Sequence, residues 1–150
     1  MPQSLSNVYV HIVFSTKYRE KTIDDLIKTS LFEYLGGICK GFECNPIRIG
    51  GHQDHIHILC QLSKKMTQVE LLENVKKQSS KWIKTKDERY SNFYWQGGYG
   101  IFSVNPSEID TVIEYIDQQE QHHSKRTFQE EFRAFLKKYK VDYDERYVWD

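Results

Sequence analysis

Hydrophobic and polar positions alternate along Asn7–Ser15 (NVYVHIVFS), and this stretch is rich in Val, Tyr, Ile and Phe. Period-two alternation of such residues predicts a strand. Asp24 or Asp25 can cap a following helix that carries Leu26, Ile27, Leu31, Tyr34 and Leu35 and runs to about Cys39, with Gly36, Gly37 and Gly41 marking its end. Residues 42–50 read as a second strand, in which Pro46 points to a sheet edge, and Gly50 and Gly51 predict a turn. The run His55–Leu62 (HIHILCQL) is a third strand. Thr67 with Glu70 three residues on forms a capping box for a helix reaching about Thr85, with Val69, Leu72, Val75, Trp82 and Ile83 on its apolar side. An aromatic, glycine-containing stretch (SNFYWQGGY) leads into a fourth strand over 100–105. Pro106 and Glu108 open a helix over about 107–122, and Phe128–Tyr139 is the last.

The order β-α-β-β-α-β followed by two helices predicts an α+β fold, a ferredoxin-like (RRM-like) sandwich with extra C-terminal helices. A length of 150 residues fits one domain. The expected core covers about 6–105, followed by a helix over 107–122 and a C-terminal helix and tail over 127–150. This fold hosts many functions, so its site must carry the functional argument.

Composition narrows the classes. Hydrophobic residues make up 39% and charged residues 28%, as in ordinary globular domains. No run is long and apolar enough for a membrane helix, and the N-terminus lacks a signal-peptide layout, so cytoplasmic residence and no membrane partner are expected. Cys39, Cys44 and Cys60 form no CxxC pair and are expected to be reduced and buried. Net charge is zero, but Lys64–Arg89 holds eight basic residues against four acidic ones, and residues 106–150 hold seven against eleven. A local basic surface is therefore available for nucleic acid.

The candidate chemistry begins with His55-Ile56-His57. Side chains two apart on a strand share a face, so both imidazoles can clamp one divalent metal. An HxH triplet alone is weakly specific. His52 and Asp54 lie just before it and could serve as metal ligands or as hydrogen-bond partners of the ligands. Tyr115 and Gln119 are four positions apart, on one helical face. A Gln oxygen can complete a site begun by two histidines and hold the phenol beside the ion. A phenol with its pKa near about 10 needs such activation to act as a nucleophile. A tyrosine on a helix is more often simply half-buried packing.

These residues, taken together, resemble the single-tyrosine HUH transposases of the insertion-sequence-200/605 type, where HUH denotes His-hydrophobe-His. The similarity lies in YVHIVFSTKYR, GGHQDHIHIL, SSKWI, FYWQGGYGIFSV, VIEYIDQQEQHH and FQEEFRAFLKKYKVDYDERYVW, spanning nearly the whole chain. The resemblance implies His55 and His57 as metal ligands, Tyr115 as the nucleophile and Gln119 as a further ligand. It implies Mg2+ or Mn2+ and no nucleotide cofactor. It also implies a homodimer whose sheet is joined across subunits, with the tyrosine helix able to serve either site. The implied substrate is single-stranded DNA with hairpins near the element ends, cut so that tyrosine keeps a 5′-phosphate and a 3′-OH is released. His52 occupies the position where some members carry an acidic residue. A domesticated relative associated with repetitive palindromes shares these features.

Lys76, Lys77, Ser79, Ser80 and Lys81, with Lys17 and Arg19, are the candidate DNA contacts, since ammonium, guanidinium and hydroxyl groups suit phosphates. Tyr94, Trp95 and Tyr99 could stack on bases or pack the core, and core packing is favoured for Trp95. Rival readings are a non-catalytic single-stranded nucleic-acid-binding module, a zinc hydrolase built on HxH, and a small structural or toxin-like αβ protein.

Overall fold

A computed structural model describes residues 2–150. Four strands, β1 (Tyr9–Ser15), β2 (Pro46–His52), β3 (His55–Gln61) and β4 (Gly100–Val104), form one antiparallel sheet in the order β2-β3-β1-β4. The helices are α1 (Lys28–Gly41), α2 (Gln68–Lys84), α3 (Ile109–Asp117), α4 (Gln119–His123) and α5 (Phe128–Lys138). This is the expected ferredoxin-like α+β arrangement.

Strand alternation sorts the sheet into two faces. Val10, Ile12 and Phe14 of β1 and Ile56, Ile58 and Cys60 of β3 pack against Leu31 and Leu35 of α1 and Leu71, Leu72 and Val75 of α2. The opposite face carries His11, Val13, His55, His57 and Leu59, all buried. Helices α3 to α5 cover it, with Ile116 on Leu59 and Val104, and Phe128, Phe132 and Leu136 around Val13 and Phe102. A fully buried side chain of this kind contributes about 1.5–3 kcal/mol, so these three residues hold α5 firmly over the histidines. Thr127 and Glu130 close a capping box that starts α5 at this point.

Several boundaries differ from expectation, each for a local reason. Asp24 accepts from the Ile27 amide at 3.1 Å, but regular helix begins only at Lys28. Gly36 and Gly37 lie inside α1 and do not end it; a Cβ on Gly36 would stand 3.4 Å from the Ile49 side chain, and one on Gly37 would meet nothing within 4 Å. Gly50 and Gly51 belong to β2, and the turn falls at Gln53 and Asp54. Pro46 opens β2, an edge strand, where its missing N–H leaves no ladder bond unmade. The helix expected over 107–122 is broken: a 3-10 turn spans Pro106–Glu108, and Gln118 (φ −100°, ψ 20°) separates α3 from α4. Cys39, Cys44 and Cys60 are free and buried. No helix among the described residues is long and apolar enough to cross a membrane.

Candidate metal and tyrosine site

The site is built on β3. In register, Val13 faces His57 and Ser15 faces His55, so both imidazoles stand on the sheet face beneath α3–α5. Gly50 of β2 makes room above it: a Cβ there would lie 2.6 Å from Ile116, which lets α3 sit directly on the sheet. The break at Gln118 then turns Gln119 inward, and Gln119 Oε1 lies 2.9 Å from His55 Nε2. The Gln119 amide nitrogen donates to the Tyr115 carbonyl at 3.4 Å, which keeps the oxygen aimed at the histidine.

Each imidazole is also gripped from behind. His55 Nδ1 is 2.7 Å from Asp54 Oδ1, and His57 Nδ1 is 2.8 Å from His11 Nε2. These bonds fix the ring orientations and direct the two Nε2 atoms to one spot. A fourth group meets them there. Glu131 of α5, fully buried, places Oε1 2.9 Å from His57 Nε2 and 3.6 Å from His55 Nε2. Ligand atoms of His55, His57 and Glu131 lie within 4.8 Å of one another.

The hydrogen-bond inventory of this cluster is short of protons. A neutral imidazole carries one N–H. Given to Asp54, the proton of His55 leaves Nε2 facing two acceptor oxygens, Gln119 Oε1 and Glu131 Oε1. Such a nest of lone pairs needs either a proton or a metal cation. Two imidazole nitrogens with an amide and a carboxylate oxygen suit a divalent ion.

Tyr115 is tied to the same carboxylate: its hydroxyl donates to Glu131 Oε2 at 2.5 Å. His123 Nε2 reaches that oxygen at 2.9 Å, and Arg126 Nη2 comes to 3.5 Å from the Tyr115 hydroxyl. Burial, then the Glu131 charge, raises the Tyr115 pKa, so the phenol is held protonated. Burial alone would raise Glu131, but bonds from His123 and His57 outweigh it and keep the carboxyl ionised. Burial lowers His57 and His11, keeping both neutral.

The remaining candidates are placed as follows. His52 stacks on His123 with ring centroids 5.5 Å apart, and its buried Nδ1 has no partner. Helix α2 lies across the sheet from the histidines, so its residues and Tyr115 occupy different faces. On that helix Lys77 and Lys81 are exposed and Ser80 is half-buried. Ser79 is fully buried, donates to the Val75 carbonyl at 2.6 Å and accepts from Trp95 Nε1 at 2.9 Å. Lys76 donates to the carbonyls of Gln96, Gly97 and Gly98 at 2.9, 3.1 and 2.6 Å, which saturates its ammonium. Lys17 is exposed, while Arg19 donates to the Trp149 carbonyl at 3.4 Å. Trp95 is buried against Phe14 and Phe93; Tyr94 is exposed.

Sequence reasoning missed Glu131, His123 and His11. The signal for Glu131 was an acidic residue within the apolar stripe Phe128, Phe132, Phe135 and Leu136 of an amphipathic helix. For His11 it was a polar residue within an otherwise buried strand.

The fold is thus a ferredoxin-like domain with histidines two apart on a central strand and a tyrosine-bearing helix laid over them. The model of the family described as transposase, IS200 like, matches residues 4–119, and the chain belongs to that family. No curated protein matches the sequence. Among solved structures, a Deinococcus radiodurans R1 protein described as a candidate transposase is similar, with a TM-score of 0.62 and 17% identity. That match covers 79% of this chain and 98% of the other. A REP-associated tyrosine transposase bound to a REP hairpin is similar with a TM-score of 0.59 and 13% identity, over 82% of this chain and 72% of that one. At these identities the likeness is one of fold.

Proposed function

We propose that this chain cuts and rejoins single-stranded DNA at hairpin-bearing insertion-sequence ends, with Tyr115 as the nucleophile. One observation carries the reading: a single chain brings the Tyr115 hydroxyl onto a carboxylate that also meets His55 and His57, with Gln119 beside them. Mg2+ or Mn2+ held by His55, His57, Gln119 and Glu131 would neutralise charge on the scissile phosphate. The Tyr115 oxygen bonds to phosphorus, the P–O3′ bond breaks, and the departing 3′-oxygen takes a proton. The phenolic proton already has an acceptor in Glu131 Oε2. Attack by another 3′-OH reverses these steps and rejoins strands without a nucleotide cofactor.

The exposed Lys77 and Lys81, with Lys17, are the DNA contacts we favour. Being across the sheet from Tyr115, the α2 lysines suit a hairpin rather than the scissile phosphate. The sheet ends at β2 and β4, and pairing one end across two chains would give the homodimer. The neighbour bound to a REP hairpin favours a second reading, a domesticated relative acting on repetitive palindromes. Both readings share the chemistry. A Tyr115→Phe protein should bind hairpin-bearing single-stranded DNA with unchanged affinity yet form no covalent adduct with Mn2+ on a denaturing gel. Adduct formation by that variant would sink the assignment.

A further inference from the structure

Two cavities flank the site, and Arg126 lines both. The first, about 230 Å3, lies between α3 and α5, with Tyr115, Val112, Phe135 and Tyr139 among its walls and Lys138 at its rim. The second, about 320 Å3, opens on the other side of Arg126 past Lys21, Lys125 and Thr127. The Arg126 guanidinium is half-buried. Its recorded side-chain partner among the described residues is the Tyr115 hydroxyl, at 3.5 Å. That is long for a hydrogen bond and uses one of five N–H groups. The fork is therefore available to a better acceptor, one that sits against the phenol oxygen.

We propose that Arg126 holds the scissile phosphate over Tyr115 and that the apolar cavity beside it takes one base of the strand, forming a one-nucleotide subsite. Guanidinium matches two phosphate oxygens at once. Phe135 and Tyr139 offer the base aromatic surface. The second mouth, where Lys21, Lys125 and Arg126 stand alongside Asp54 and Glu130, takes the strand onward. Arg126 orients the phosphate for in-line attack from the phenol. The subsite rests on the strand-transfer reading above.

The test uses the full chain, hairpin-bearing single-stranded DNA and Mn2+, with adduct rate and DNA affinity measured separately. Arg126→Ala should slow adduct formation roughly 10- to 100-fold, the range of a lost charge-assisted bond, while DNA affinity changes little. Arg126→Lys should recover part of the rate, which a merely structural role would not give. Removing the base on each side of the scissile phosphate in turn should slow the wild type at one position. Ala134→Leu, which fills the cavity from an exposed helix position, should slow it to the same extent and abolish the abasic effect. The abasic arm needs no variant, so a poorly folding mutant leaves the test intact. Adduct formation at the wild-type rate by Arg126→Ala, or indifference to both abasic strands, overturns the subsite. A wild type that forms no adduct with any strand overturns the strand-transfer reading itself.

Discussion

Replacing Glu131 by Gln separates two roles of the central carboxylate. Glu131 is fully buried and takes bonds from Tyr115 at 2.5 Å and from His57 and His123 at 2.9 Å each. A hydrogen bond to a charged group contributes about 1.5–3 kcal/mol. Gln keeps one acceptor and sets an amide N–H against a donor, so the metal-free protein should lose about 2–4 kcal/mol. Because the folded carboxyl is held well below its ordinary range, its contribution is complete above the unfolded value of about 4.3 and fades as pH falls toward the folded value. Wild type should therefore lose stability on the acid side more steeply than the Gln variant. Mn2+ at a hundred times its Kd stabilises by about 2.7 kcal/mol. If losing the charged ligand weakens binding about 100-fold, the same Mn2+ yields about 0.4 kcal/mol. With roughly 2–4 °C per kcal/mol for a chain of this size, the Mn2+-induced rise in Tm shrinks from about 5–10 °C to about 1–2 °C. Calorimetry at pH 7 and pH 4, with and without Mn2+, reads both effects. An undiminished Mn2+ shift in the Gln variant refutes Glu131 as a ligand, and parallel acid profiles refute a buried ionised carboxyl.

Asp54→Asn replaces the charged acceptor behind His55 with a neutral amide and should weaken Mn2+ binding about 10- to 100-fold by titration calorimetry, with the fold intact by circular dichroism. Lys76→Met should lower stability by about 2–3 kcal/mol in urea melts by leaving three carbonyls without their donor, while the salt dependence of DNA binding stays put. Lys77→Ala and Lys81→Ala should do the reverse, each reducing the slope of log affinity against log salt by about 0.9, the duplex value, in fluorescence anisotropy with hairpin DNA. Gly50→Val drives a side chain into Ile116, and lifting α3 should cost adduct formation before it costs the sheet; amide exchange would show α3 loosened and β1 still protected.

The sheet was legible because its strands alternate cleanly, and the HIHILCQL pattern alone puts His55 and His57 on one face. Lengths near glycine were not legible, because Gly36 continues α1 and Gly50 acts through close approach to Ile116 rather than as a strand end. A single sequence does not show a packing partner, so a packing glycine and a turn glycine look alike. The same blindness applies to the break at Gln118, which no Gly or Pro announces; its stabilisation comes from Gln119 reaching His55 across the fold. Glu131 was hidden by chain distance from the histidines, and Lys76 and Ser79 looked like surface groups until their partners in the 95–98 segment were seen.

The proposed strand transfer gives this cluster a use for a cation. On the strand-transfer reading a phosphorylated Tyr115 has no phenolic proton, so its bond to Glu131 Oε2 would break and the proton taken by the carboxylate would pass on to the departing 3′-oxygen. Phosphate and carboxylate then stand side by side in a buried site. Two unit charges about 4 Å apart repel by about 4 kcal/mol at an effective dielectric of 20. His57 and His11 are held neutral by burial, which leaves the Arg126 guanidinium, 3.5 Å from the phenol oxygen, as a compensating charge. His55, His57, Gln119 and Glu131 would hold a divalent ion, and the same carboxylate would then serve as a ligand of the phosphate's counter-charge rather than oppose it. Without metal, burial and then that carboxylate raise the phenol pKa and keep Tyr115 protonated. On the strand-transfer reading, the group that quiets Tyr115 in the empty cluster is the group that would anchor the ion needed to use it.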